Sequence, residues 1–281
     1  MDRELVFLIL GALTLGPLLL RAGIQPAVHA TAASVCGLER DSWCRLWAPL
    51  LPSAIVFGAL VGWALIEPDD AELLPLTLIA IGMPFLLVWM RAAVRALWGL
   101  RRTSAVPTAA TLGLLRPRVV IAPQFMYTID DTAQHAVRAH EAAHARHRDP
   151  LRVWAAQFAT DLQWPGRGAT DRLAQWRHAL ELARDEEVRR HGIDGADLAA
   201  AVIAALQFAN ANASHAVSIV GSHERVRERI ITLLAPLSTV EDEWAVPSSF
   251  RASAIAGPLG AVAFGATFGE AIVRALVQTI P

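Results

Sequence analysis

The pentapeptide His140-Glu-Ala-Ala-His144 constrains this chain more than any other stretch of it. Residues i and i+4 of a helix lie one above the other on the same face. On a helix, both imidazoles can therefore hold one zinc ion, and the intervening Glu141 can reach a water beside it. The competing reading is a pair of solvated histidines on an Ala/Arg helix, because His135 and His147 make the region His-rich. A third ligand separates the two readings, since a catalytic zinc takes three protein ligands and keeps one position open. Downstream, Glu181-Leu-Ala-Arg-Asp185 falls on a predicted helix where positions 181 and 185 share a face. Glu181 can be the third ligand. Asp185 can accept a hydrogen bond from the far nitrogen of a ligand histidine, which fixes its tautomer and orientation. Glu186, Glu187 and Arg190 read as the solvated face of the same helix.

Local signals place these residues on helices. Asp130, Asp131 and Thr132 are N-cap types ahead of a helix reaching about residue 148. Asp149-Pro150 breaks it, because the residue before proline avoids the α region. Further helices are predicted at about 151–164, 170–190, 194–209 and 222–234, and the β-branched run 119–121 reads as a short strand.

Outside this polar block the chain is unusually apolar. It is 54% hydrophobic and 18% charged, against about 45–50% and 25% for ordinary globular domains. Residues 5–20, 49–66 and 73–90 contain no charged side chain and run 16 to 18 residues each. A spanning helix needs about 20, with a lower limit of about 17. A fourth segment, 252–277, carries Gly257, Ala261, Gly265 and Gly269 at every fourth position, a face suited to close helix packing. Gly58 and Gly62 offer a similar surface. A buried hairpin is the alternative for this last segment. For the first run the alternative is a cleaved signal peptide, against which Asp2 and Glu4 make a poor basic region.

The expected architecture is thus a mainly α integral membrane protein in a lipid bilayer, with about four transmembrane helices. Residues 1–100 form a membrane domain with three of them (about 4–22, 48–67 and 73–94). Residues 101–250 form a cytoplasmic zinc metallopeptidase domain, gluzincin-like by the resemblance given below, inserted between the third and fourth, and 251–281 hold the fourth. Arginines set the orientation: the 21–48 loop holds Arg21, Arg40 and Arg45, the 67–72 loop holds none, and Arg91, Arg95, Arg101 and Arg102 follow. The positive-inside rule places the central block in the cytoplasm. The small-residue faces also suit a homo-oligomer. A net charge of -1 gives no case for direct nucleic-acid binding. Cys36 and Cys44 form neither a disulfide framework nor a zinc site.

These motifs together resemble the bacterial signal-transducing membrane metallopeptidases of the BlaR/MecR type, which are gluzincins. The resemblance rests on the 113–123 segment, on His140-Glu-x-x-His144 with Asp149 five residues on, on Glu181-Leu-Ala-Arg-Asp185-Glu186, and on Glu228-Arg-Ile230 with Leu233. The tract after Trp164-Pro165 departs from the family's usual W-x-N-P. The sequence ends at Pro281 without a penicillin-binding sensor, so direct β-lactam sensing is not expected of it.

The resemblance implies peptide-bond hydrolysis of a polypeptide substrate, such as a cytoplasmic transcriptional repressor or a membrane-associated protein. Zinc would be held by His140, His144 and Glu181, with Asp185 behind a histidine and Glu141 as general base. His223, in a stretch similar to the downstream region of HtpX-like and CAAX-prenyl endopeptidases, and Arg229 are the candidates for the oxyanion donor. Two alternatives stand: an HtpX-like quality-control protease, and a non-catalytic, zinc-stabilised signalling subunit. The intact Glu141 argues against the last.

Overall fold

In the computed structural model, residues 35–51, 76–101, 108–164, 166–212, 220–237 and 248–279 are described, together with residues 54, 55, 58, 59 and 62. In chain order the elements are α1 (Val35–Trp47), a 3-10 turn (Ala48–Leu50), α2 (Leu76–Arg101), β1 (Ala109–Leu112), β2 (Arg118–Ile121), α3 (Pro123–Met126), α4 (Asp131–Arg146), α5 (Asp149–Leu162), α6 (Arg167–Arg190), α7 (Gly195–Asn212), α8 (Val220–Leu234) and α9 (Ser248–Thr279).

Helix α4 carries the histidine motif, and its ends follow from local chemistry. The Asp130 side chain accepts a hydrogen bond from the Ala133 N–H at 2.8 Å, satisfying one donor of the first turn. At the other end the chain turns through Arg148, which adopts a left-handed conformation (φ 52°). Asp149 and Pro150 then open α5, where proline's missing N–H costs nothing. Half of the buried residues of α4 are alanine, namely Ala133, Ala136 and Ala143. Small side chains let α6, α7 and the sheet approach this helix closely.

The sheet has two antiparallel strands, with Ala109 opposite Ile121 and Leu112 opposite Arg118. The Ala122 N–H donates to the Thr108 carbonyl at 2.7 Å. In this register Ala110 and Leu112 turn their backbone groups toward β2, and Ala109 and Thr111 turn theirs the other way. That outer edge is unpaired among the described residues.

Helix α1 was not foreseen; its residues read as part of a loop. It packs on α6 and α5, where Leu46 joins Ala156, Ala159, Leu173, Trp176 and Leu180 in one buried cluster, with Trp43 and Trp47 against it.

The expected integral membrane architecture is corrected by the structure. Among the described residues no helix is long and apolar enough to cross a membrane. The expected span at about 4–22 lies outside the described residues, and that at about 48–67 is described only in part. The expected span at about 73–94 overlaps α2, whose second half belongs to the helical domain. Arg91 and Arg95 reach the buried Asp161 carboxylate at 3.3 and 3.0 Å, and the Trp154 indole donates to the Ala96 carbonyl at 3.0 Å. The expected fourth span is α9, where Pro258 and many small residues interrupt the apolar run. The orientation argued from the arginines rested on those spans and goes with them.

The small-residue stripe of α9 is real, and its partner is the chain itself. A Cβ added at Gly265 would collide with the Ala59 carbonyl, one at Gly62 with the Val262 carbonyl, and one at Gly58 with the Pro258 carbonyl. Two backbones therefore touch. Gly265→Leu should destabilise the protein by about 1–3 kcal/mol through overpacking. Gly260→Ala on the same helix meets open space and should stabilise by about 0.5–1 kcal/mol. Thermal midpoints of the two variants moving in the same direction would contradict this packing.

Candidate metal centre

Helices α4 and α6 face one another across the site. His140 and His144 are buried and rise from α4, and the half-buried Glu181 descends from α6. The Nε2 atoms of the two histidines are 3.0 Å apart. Glu181 Oε2 is 3.5 Å from His140 Nε2, and Oε1 is 3.6 Å from His144 Nε2. Ligand atoms about 2.0–2.1 Å from a tetrahedral zinc stand roughly 3.3 Å from one another, so the triangle has the right size for one ion. These three residues form a group that could hold a metal.

The surrounding charges favour a cation at that point. His144 Nδ1 is 2.9 Å from Asp149 Oδ2, and His140 Nδ1 is 3.0 Å from Asp185 Oδ1. A proton on each Nδ1 leaves both Nε2 lone pairs directed at the same place, which is repulsive without a positive charge between them. Burial alone would lower the pKa of His140, yet the Asp185 and Glu181 carboxylates reverse this and push it up to about 9. Burial opposes ionisation of Glu181, but Arg229 and the two histidines hold its carboxyl well below the usual range. Neutral imidazoles and an ionised carboxylate are the donor set that zinc takes.

Arg229, from α8, sits in the same place. Its Nη1 is 2.9 Å from Glu181 Oε2, its Nη2 donates to Asp185 Oδ1 at 2.8 Å, and its Nη2 is 3.2 Å from His140 Nε2. The structure thus brings Arg229, Asp185 and all three expected ligands together. His223 lies in the first turns of α8, and its side chain is outside the described residues.

Glu141 projects toward the sheet. The Thr111 hydroxyl, on β1, lies 2.8 Å from both the Glu141 carbonyl and Glu141 Oε2. A cleft of about 810 Å³ adjoins it, lined by Thr111, Glu141, both histidines, Trp154 and Arg229 among others.

Behind His144 lies a network that the sequence did not announce. Asp149 accepts from Arg184 Nε at 2.6 Å and from Arg152 Nη1 at 3.0 Å. Burial would raise the Asp149 pKa, but His144 and Arg184 hold it far below the usual range. Arg152 Nη2 in turn donates to Glu39, on α1, at 2.6 Å. The five-residue spacing from His144 signalled Asp149; nothing in the sequence signalled Arg152, Arg184 or Glu39 as its partners. Glu186, expected on the solvated face, is buried and bonded to Arg190.

The family model described as BlaR1 peptidase M56 matches residues 91–233. The chain belongs to this family of peptidases. The match begins within α2 and ends in α8, and it includes His140, Glu141, His144, Asp149, Glu181, Asp185 and Arg229 but not Glu39. No curated protein and no solved structure matches the chain. M56 peptidases are metalloproteases and typically membrane-associated, while among the described residues no helix is long and apolar enough to cross a membrane.

Proposed function

We propose that the chain is a zinc-dependent endopeptidase with His140, His144 and Glu181 as ligands. The observation that carries this reading is the convergence of three ligand atoms within 4.8 Å of one another, with Glu141 anchored beside them. Bound there, zinc would polarise a scissile carbonyl and lower the pKa of a water. Glu141 takes a proton from the attacking water and passes it to the leaving amine. Thr111 restricts the rotamers of that carboxylate. Asp149 and Asp185 hold the two imidazoles in their Nδ1–H tautomers. Arg229 aligns Glu181 and Asp185 and is the candidate donor to the negative charge that develops on the substrate.

The outward backbone groups of Ala109 and Thr111 suit an extended peptide added as a third strand, which leads past Glu141. A polypeptide is therefore the substrate class. We favour a regulatory role, in which a cytoplasmic transcriptional repressor or a membrane-associated protein is cut, because the matching family takes its description from BlaR1.

Metal content tests the ligand assignment. Glu181→Ala should lose zinc on purification. Asp185→Ala should keep it with affinity weakened about 10–100-fold. Full zinc occupancy in Glu181→Ala would overturn the assignment, and cleavage of a co-expressed candidate repressor by wild type reports the activity.

A further inference from the structure

We propose that Glu39, on a helix outside the matched family region, is a positioning residue for His144. It acts through Arg152 and Arg184, which together fix the Asp149 carboxylate. The proposal rests on the metal-centre reading above and extends it to a part of the chain that the family match leaves out, since α1 ends at Trp47 and the match begins at residue 91.

Glu39 is fully buried. Its Oε1 accepts from Arg152 at 2.6 Å, and its Oε2 is 3.7 Å from Arg184 Nη2. Both guanidiniums also bond Asp149: Arg152 donates to Oδ1 at 3.0 Å, and Arg184 donates to Oδ2 at 2.6 Å and to Oδ1 at 3.3 Å. Asp149 Oδ2 bonds His144 Nδ1 at 2.9 Å. The connected path is therefore Glu39, two arginines, one carboxylate, one ligand histidine. Trp43 stands one turn after Glu39 on α1, and the Arg152 guanidinium lies 5.1 Å from its ring centre and 5.6 Å from that of Trp176. Helix α1 thus supplies both a counter-charge and a wall for Arg152.

Stability alone is a poor reason for this arrangement. A buried ion pair is often no more stabilising than well-packed apolar residues of the same volume. What the carboxylate does determine is the direction in which the two arginines point. That direction sets the Asp149 plane, and the Asp149 plane sets the ring of His144, as partners behind a metal ligand generally do. The two histidines differ in this respect. His140 is oriented by Asp185, whose arginine, Arg229, comes from α8 inside the matched region. Of the two orienting networks, the one behind His144 reaches α1 among the described residues.

The test uses the full chain, with zinc affinity from chelator competition, the visible bands of the cobalt(II)-substituted protein, and the thermal midpoint. Glu39→Gln should weaken zinc about 10-fold, at the lower end of the range for groups behind a ligand, and shift the cobalt bands. Leu46→Ala loosens the same helix without touching the arginines; it should lower the midpoint and leave the affinity and bands of the folded protein unchanged. Glu39→Asp keeps the charge but withdraws it by one methylene, and should shift the bands in the same direction by less. Wild-type bands in Glu39→Asp overturn the proposal whether or not Glu39→Gln folds. So does a loss of affinity in Leu46→Ala equal to that in Glu39→Gln, which would make the role merely structural. If wild type binds neither zinc nor cobalt, the metal-centre reading itself fails and takes this one with it. Binding in wild type with no change in either Glu39 variant sinks the proposal alone.

Discussion

Glu141→Gln is expected to keep zinc and the fold while losing hydrolysis by about 10²–10⁴-fold, the range that general-base catalysis contributes. The amide has the shape of the carboxylate but cannot take a proton from the attacking water. The loss should sit at the upper end of the range, because no other carboxylate at the centre is free to substitute. Glu181 is committed to the ligand triangle and to Arg229, and Asp185 to His140 and Arg229. The Thr111 hydroxyl can still bond the amide oxygen, so the side chain should stay in place. His140→Ala should instead remove zinc and activity together. Zinc content and substrate cleavage measured on both variants decide the matter. A Glu141→Gln protein that cleaves as fast as wild type defeats the peptidase reading; a non-catalytic signalling subunit predicts instead that Glu141→Gln is silent in cells and that only the ligand substitutions matter.

The second large effect is expected at Asp149. Asp149→Ala removes the shared partner of His144, Arg152 and Arg184, all of them buried or nearly so. Breaking a buried ion pair from one side typically costs about 3–5 kcal/mol, because the remaining charge is left uncompensated. Here two guanidiniums lose a carboxylate at once, with Glu39 and Glu187 remaining to Arg184. That cost is a large share of a typical total stability of about 5–15 kcal/mol. Chemical denaturation of the metal-free protein gives the number. A loss below about 1 kcal/mol would mean that the arginines find other partners and that the network is not the rigid frame described here. Zinc affinity should fall as well, since His144 then lacks the acceptor that orients it.

The centre was legible where it was local. His140, Glu141 and His144 needed only the period of a helix, and Glu181 with Asp185 needed only the same period plus the demand for a third ligand. The helix ends were legible for the same reason: Asp130 and Pro150 act within one turn of themselves. What escaped was whatever depended on distant pairing. Helix α1 buries Glu39 and Ser42 beside Leu46, so its inward face carries no apolar stripe to read. Strand β1 is Ala-Ala-Thr-Leu, with too few β-branched residues to distinguish it from a loop, and so the anchoring of Glu141 by Thr111 was invisible. Glu186 looked solvated because its burial depends on what packs over α6. The apolar runs misled in the opposite way. Their hydropathy was read as contact with lipid, whereas the second half of α2 is tied down by Arg91 and Arg95 on Asp161, and the glycine face of α9 lies against Ile55 and Ala59.

The left-handed corner at Arg148 has a mechanical meaning. A non-glycine residue there costs on the order of 1–3 kcal/mol, and the corner is held shut by the bond from His144 to Asp149 across it. The two sides of this clasp lie five residues apart, one on the last turn of α4 and one on the first residue of α5. A metal ion gripping His144 would therefore stiffen the hinge between two helices as well as fill a site.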